Sequence, residues 1–149
     1  MKKFIYSFLC ISALISCDTN VQKTAEQAVD MMDGQKPTET LCFLTTGKAI
    51  KAEDRTLRDS TILKINVFEK QKVSGKFNWI PAEKDQRKGL FEGAKSGNTI
   101  KGAYTYTQEG VPKTATILIK LSGDKATVTT NKDKQDAMTL EVKKVNDCL

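Results

Sequence analysis

The sequence predicts an all-β domain, a small antiparallel eight-stranded up-and-down barrel, with a two-layer β-sandwich as the alternative. Three observations predict it. From Leu41 onward, short runs rich in Val, Ile, Thr, Phe and Tyr alternate apolar and polar residues with period two, the spacing that puts one side of a strand into a core. Clusters of Gly, Asn, Asp and Pro separate these runs at turn-like intervals. Finally, Val73-x-Gly75-x-Phe77-x-Trp79 recurs as Ile100-x-Gly102-x-Tyr104-x-Tyr106, with Phe91-x-Gly93 as a partial copy. All members of that echo share one face, while Ser74, Lys76, Asn78, Lys101, Ala103 and Thr105 make the other face largely polar.

Length and composition bound what such a domain can do. The chain has 149 residues, enough for one domain, with 24 basic and 18 acidic residues, four Cys and no His. Without an imidazole, a Ser-His-Asp hydrolase, a His-ligated metal and a His pH switch are excluded. The 39% hydrophobic content suffices for a small core and leaves room for a polar segment.

The N-terminus sets the compartment. Lys2 and Lys3 form a basic start, and Phe4 to Ile15 form an apolar run of twelve. That run is too short to cross a bilayer, which takes about 20 residues. Leu14-Ile15-Ser16-Cys17 follows, and this ending resembles the bacterial lipobox. The resemblance implies that residues 1–16 are a lipoprotein signal peptide, that the Cys17 sulfur carries a diacylglycerol, and that the new amino terminus is acylated too. A plain secretory signal cut elsewhere is the alternative. Each buried methylene of such chains contributes about 0.8 kcal/mol, so two or three chains make release from a membrane negligible. Cys10 leaves with the signal.

Removing Lys2 and Lys3 leaves 22 basic residues against 18 acidic, a net +4. These charges are interspersed, so no block of Lys and Arg is long enough to follow a phosphate backbone, and no nucleic-acid partner is expected. From Asp18 to Thr40 the residues are small and polar, which predicts a flexible tether over 17–40. Within it Thr24 and Gln27 have capping-box spacing, Ala25, Ala28, Val29 and Met32 share a helical face, and Gly34 and Pro37 supply stop signals. A short docking helix is therefore the alternative to a spacer, although about ten residues make a marginal helix alone.

The domain proper is expected over 41–149, with strands at 41–46, 61–68, 72–79, 89–94, 98–107, 113–121, 125–130 and 138–145. Ser96-Gly97-Asn98 and Ser122-Gly123-Asp124 suit tight hairpins, and Gln108 to Pro112 suits a slightly longer one. The charged links 47–60 and 80–88 are expected to be mobile loops. Gly75, Gly93 and Gly102 would permit the strong coiling or close backbone approach that favours a barrel. Inside it, Phe77, Trp79, Tyr104 and Tyr106 either line a small ligand cavity or simply fill the core.

Cys42 and Cys148 remain in the mature chain, one in the first strand and one beside the C-terminus. In an oxidising compartment a bond between them would staple first strand to last, contributing roughly 4.7 kcal/mol for a loop of about 100 residues. A reactive thiol pair or a two-Cys metal site competes, without a CxxC spacing to support it. In Glu83-Lys84-Asp85-Gln86-Arg87-Lys88-Gly89 the two acids could meet a hard cation, but the interleaved cations oppose it and the segment reads as a solvated turn. No metal, no cofactor and no catalytic residue is expected. No pair of acids is placed across a cleft, and no glycine-rich loop follows a strand and opens a helix.

The stretch Lys72 to Gly110, with Gly-Lys-Phe-Asn-Trp, Phe-Glu-Gly, Gly-Asn-Thr-Ile-Lys-Gly and Tyr-Thr-Tyr, resembles small β-rich lipoproteins of the Bacteroidota. That resemblance implies a bacterial cell-envelope location and carries no chemistry. Asp18 after Cys17 resembles the inner-membrane retention signal of enteric bacteria, a sorting rule that need not extend further, so inner and outer membrane both stay open. Three functions follow as expectations: a lipid-anchored, non-catalytic binding module for an envelope protein or glycan, a carrier of a small apolar ligand, or an inhibitor of lysozyme. Membrane-bound lysozyme inhibitors are similar in their lipobox, small barrel and disulfide. Their Ser-Gly-x-x-Tyr motif is not reproduced, since Ser74-Gly75 is followed by Lys76, Phe77 and Asn78, and a net +4 gives no attraction to a basic lysozyme.

Overall fold

A computed structural model describes residues 34–52 and 54–148. Among the described residues ten strands form, in chain order: β1 (Glu39–Thr46), β2 (Ile50–Ala52), β3 (Arg55–Leu57), β4 (Ser60–Val67), β5 (Lys72–Ile80), β6 (Arg87–Ser96), β7 (Thr99–Gln108), β8 (Val111–Ser122), β9 (Lys125–Thr130) and β10 (Met138–Val145). Eight of them close one antiparallel barrel in the order β1-β10-β9-β8-β7-β6-β5-β4. Each barrel strand pairs with its neighbours along the chain, and β1 lies between β4 and β10. The sheet returns on itself, so the barrel and not the sandwich is the architecture. Closure removes the free sheet edges that a sandwich would have to protect.

The alternation read from the sequence is the inside-outside alternation of the wall. Val73, Phe77, Phe91, Ile100, Tyr104 and Tyr106 are buried with Leu41, Phe43, Leu63, Ile65, Ile117, Ile119, Val128 and Val142 in one core. Across β5, β6 and β7 the inward residues form three rungs: Val73–Gly93–Gly102, Gly75–Phe91–Tyr104 and Phe77–Gly89–Tyr106. Phe91 has Gly75 as a cross-strand neighbour, and Phe77 and Tyr106 share Gly89 between them. A Cβ on Gly93 would come within 2.8 Å of the Gly102 Cα, and one on Gly89 within 2.6 Å of the Tyr106 Cα. These glycines allow the backbones to crowd where the rings take the interior volume.

The two ends of the barrel differ. At one end the links are minimal: Gly97-Asn98 joins β6 to β7 and Gly123-Asp124 joins β8 to β9, with φ of 56° at Gly97 and 58° at Gly123. A 3-10 turn (Glu69–Gln71) joins β4 to β5 beside the buried Phe68, and the chain enters here, Thr38 N–H donating to the Val67 carbonyl at 2.7 Å. At the other end lie segment 47–59, the links 81–86 and 131–137, and the β7–β8 turn.

Several expectations need correction. The expected tether runs to Thr40, but Glu39 and Thr40 already pair with Val67 and Asn66, because β4 extends past Leu41 and recruits them. The 47–60 link is not a bare loop. Its ends are held by Thr46 opposite Ser60 and by Gly47 N–H donating to Asp59 O at 2.9 Å, and β2 and β3 pair between them as a hairpin. Three-residue strands are too short to show alternation in a sequence. The β7–β8 connection is a two-residue turn, Glu109-Gly110, since Glu109 takes a left-handed φ of 53°. Pro112 falls inside β8 instead. It is tolerated there because β8 pairs with β9 only from Ile117 onward, leaving residue 112 with a single neighbouring strand. Cys17 and the tether helix candidates at Thr24, Gln27, Ala25, Ala28, Val29 and Met32 lie outside the described residues.

Candidate functional site

The chemistry of the described chain concentrates at the loop end, where the inward-facing rungs change from apolar to polar. Beyond Phe77 on β5 the next inward residue is Trp79; before Gly89 on β6 it is Arg87; beyond Tyr106 on β7 it is Gln108. The Arg87 guanidinium lies 5.7 Å from the centre of the Trp79 ring and 5.5 Å from that of Tyr106. Its Nε–H donates to Gln108 Oε1 at 3.1 Å. Two rings and an amide thus fix one half-buried cation, and such contacts are worth about 0.5–2 kcal/mol each. Lys113 stands opposite Tyr106 in the β7–β8 register and is exposed.

Beneath this cap the rings pack on one another. Tyr104 stacks on Tyr106 with centroids 4.8 Å apart, and Phe77 meets Tyr104 edge to face at 5.3 Å. The Tyr104 hydroxyl donates to the Phe77 carbonyl at 2.8 Å. Burial pushes the Tyr104 phenol well above its ordinary pKa, the neighbouring Tyr106 adds to this, and the Arg87 charge opposes it. Of the four aromatic residues read as cavity lining or core, Phe77, Tyr104 and Tyr106 are brought together and buried, and Trp79 is half-buried at the rim.

Around the cap the loops are tied to the wall. The Ala82 N–H donates to Asp59 Oδ1 at 2.7 Å, joining link 81–86 to the base of the β2–β3 hairpin. Asn131, itself buried at a φ of 48°, accepts from the Thr116 N–H at 3.3 Å and donates to Asp136 Oδ2 at 2.6 Å, so it turns the chain from β9 toward β10. Glu83 and Asp85 are exposed.

Arg87 is the residue that sequence reasoning misplaced. Read as part of a solvated 83–89 turn, it instead opens β6 and points with Gly89 and Phe91 to the inward face. The signal was present: Arg87 is two residues before Gly89 and so continues the parity of Phe91-x-Gly93.

Cys42 and Cys148 form a disulfide at the seam, with Cα atoms 5.2 Å apart and a sequence separation of 106. Cys42 pairs with Val145 in the β1–β10 ladder, and the chain turns back after β10 to bring Cys148 alongside. The cleft beside the disulfide, lined by Leu44, Ile62, Lys64 and Val145, has room for about one water molecule and is no ligand pocket. No family model, curated protein or solved structure matches this chain.

Proposed function

We propose that this protein is a lipid-anchored component of the bacterial cell envelope that acts as a non-catalytic binding module and presents the loop end of its barrel to a partner. The observation that carries the reading is polarity of the fold. The chain enters the barrel beside Val67, at the end with minimal turns, and the loops gather at the opposite end. A tether attached at Cys17 would therefore leave the loops facing away from the membrane. The packed Phe77, Tyr104 and Tyr106 rings support a filled interior over an apolar carrier's cavity, so recognition falls to the rim and the loops.

The test combines a variant with labelled lipid. Cys17→Ala should lose incorporation of labelled fatty acid and leave the membrane fraction. In the unsubstituted chain, a photo-crosslinking residue at position 111 should yield a specific adduct in intact envelopes that one at position 124 does not. Unchanged fractionation of Cys17→Ala, or equal adducts at both ends, would sink the proposal.

A further inference from the structure

We propose that the loop end of the barrel is a binding site for a soluble oxyanion, a phosphate or carboxylate group, gripped by Arg87 with Lys113 beside it. This rests on the loop end being the recognition face and deepens that reading by naming the chemistry it takes.

Consider which side chains face inward at this rim. Thr61 on β4, Trp79 on β5, Arg87 on β6, Tyr106 and Gln108 on β7 and Lys113 on β8 follow from strand parity and register. Two are cations and none is a carboxylate. Arg87 has no acidic partner at ion-pair distance among the described residues, and the carboxylates on the adjoining links, Glu83, Asp85 and Glu109, are exposed. Asp59 is already engaged with the Ala82 N–H.

An arginine placed only for solubility would keep its head in water and its orientation free. Here the guanidinium is held by both rings and its Nε–H is committed to Gln108. The terminal Nη donors remain, on a plane whose direction is already set. A fixed guanidinium fork meets two oxygens of a phosphate or carboxylate at once, and the ordering cost has been met before the ligand arrives. Lys113, across the ladder from Tyr106, adds a second positive charge on a flexible stem that can reach the same group. The Trp79 and Tyr106 rings flank the site and lower the local exposure to water, which strengthens a charge-assisted bond there.

Trp79 is the only tryptophan of the chain, so its emission reports on the guanidinium that lies over it. The purified full chain in neutral detergent is titrated with inorganic phosphate and, separately, with acetate, ionic strength being held constant with sodium chloride. Saturable change in Trp79 emission with either anion, beyond the chloride control, is the expected result. Arg87→Gln should weaken it about tenfold or more, Arg87→Lys less, and Lys113→Gln less still. Thermal melts identify any variant that fails to fold, and exposed Lys113 supplies a variant that keeps the wall intact. A response no different from chloride, or one unchanged in a folded Arg87→Gln variant, overturns the proposal. So does a response confined to phosphatidylglycerol vesicles over phosphatidylcholine vesicles, which would assign the cations to a lipid surface. Because anchoring is read separately from Cys17→Ala, a flat titration with normal anchoring removes the oxyanion site and leaves the anchored module standing.

Discussion

Two walls of the barrel fill the same interior by opposite means. In the β5–β7 wall the inward rungs alternate extremes, so that Gly75 sits beside Phe91, Gly89 sits between Phe77 and Tyr106, and Gly93 faces Gly102. In the β8–β10 wall the rungs are Ile117–Thr130–Met138, Ile119–Val128–Leu140 and Leu121–Ala126–Val142, with neither a glycine nor an aromatic ring. A rung has a nearly fixed volume to fill, and cores are packed to crystal-like density. Rings on one strand therefore demand the removal of side chains on the next, whereas branched aliphatics share the space evenly. The first wall has specificity built into its backbone contacts; the second tolerates exchange.

That difference predicts the order of mutational effects. Gly102→Val places a side chain against the Glu92 carbonyl and Gly93, with no flexible atom to yield, and should cost on the order of 4 kcal/mol or prevent folding. Ala126→Val in the aliphatic wall should cost about 1–3 kcal/mol, since surrounding side chains can shift. Urea unfolding of the pair measures the contrast, and equal losses would erase the distinction between the walls.

The seam between the walls comes next. Replacing Cys42 and Cys148 together by Ser should lower stability by about 2–5 kcal/mol, seen as a fall in Tm that reductant reproduces in the unsubstituted chain. Tyr104→Phe removes one buried hydrogen bond from the ring wall and should cost about 1 kcal/mol near neutral pH. It also carries a pH signature. The phenol stays neutral in the fold to a higher pH than in the unfolded chain, so above about pH 10 the unfolded state binds fewer protons and stability falls as pH rises. Tyr104→Phe should remove that component of the alkaline decline, and melts at increasing pH would show it.

The smaller effects belong to the aliphatic wall. Thr130 Oγ1 is buried without a hydrogen-bond partner, so Thr130→Val should raise stability by about 1 kcal/mol; a loss instead would mean that the hydroxyl is satisfied by water. On the outside of the same wall Lys125 donates to Glu141 at 3.0 Å, and the carboxylate holds the ammonium pKa above its ordinary value. The pair is well exposed, so Lys125→Met should leave the Tm unchanged within measurement error.

Much of the barrel was legible in the sequence because inside and outside differ by chemistry at every second residue. The expected strand at 72–79 is one residue short of β5, those at 125–130 and 138–145 coincide with β9 and β10, and the echo around Val73 and Ile100 marks inward residues throughout. What escaped did so for local reasons. Glu39 and Thr40 carry no apolar signal and become strand only because β4 offers a ladder to complete. The β2–β3 hairpin depends on its ends being brought together by Thr46 and Ser60. Arg87 reads as one charge among several in 83–89 until the start of β6 assigns it to the inward face.

The sequence by itself determined the all-β class, the one-face aromatic pattern, and the two domain cysteines free to pair, since these follow from alternation, turn chemistry and composition. Only the tertiary structure decided that the sheet closes, that the rings pack against glycines across strands, and that Arg87 is clamped between Trp79 and Tyr106. Each of those depends on register between distant segments, which is set by the whole wall twisting until its first strand meets its last, and no single stretch of chain encodes that meeting.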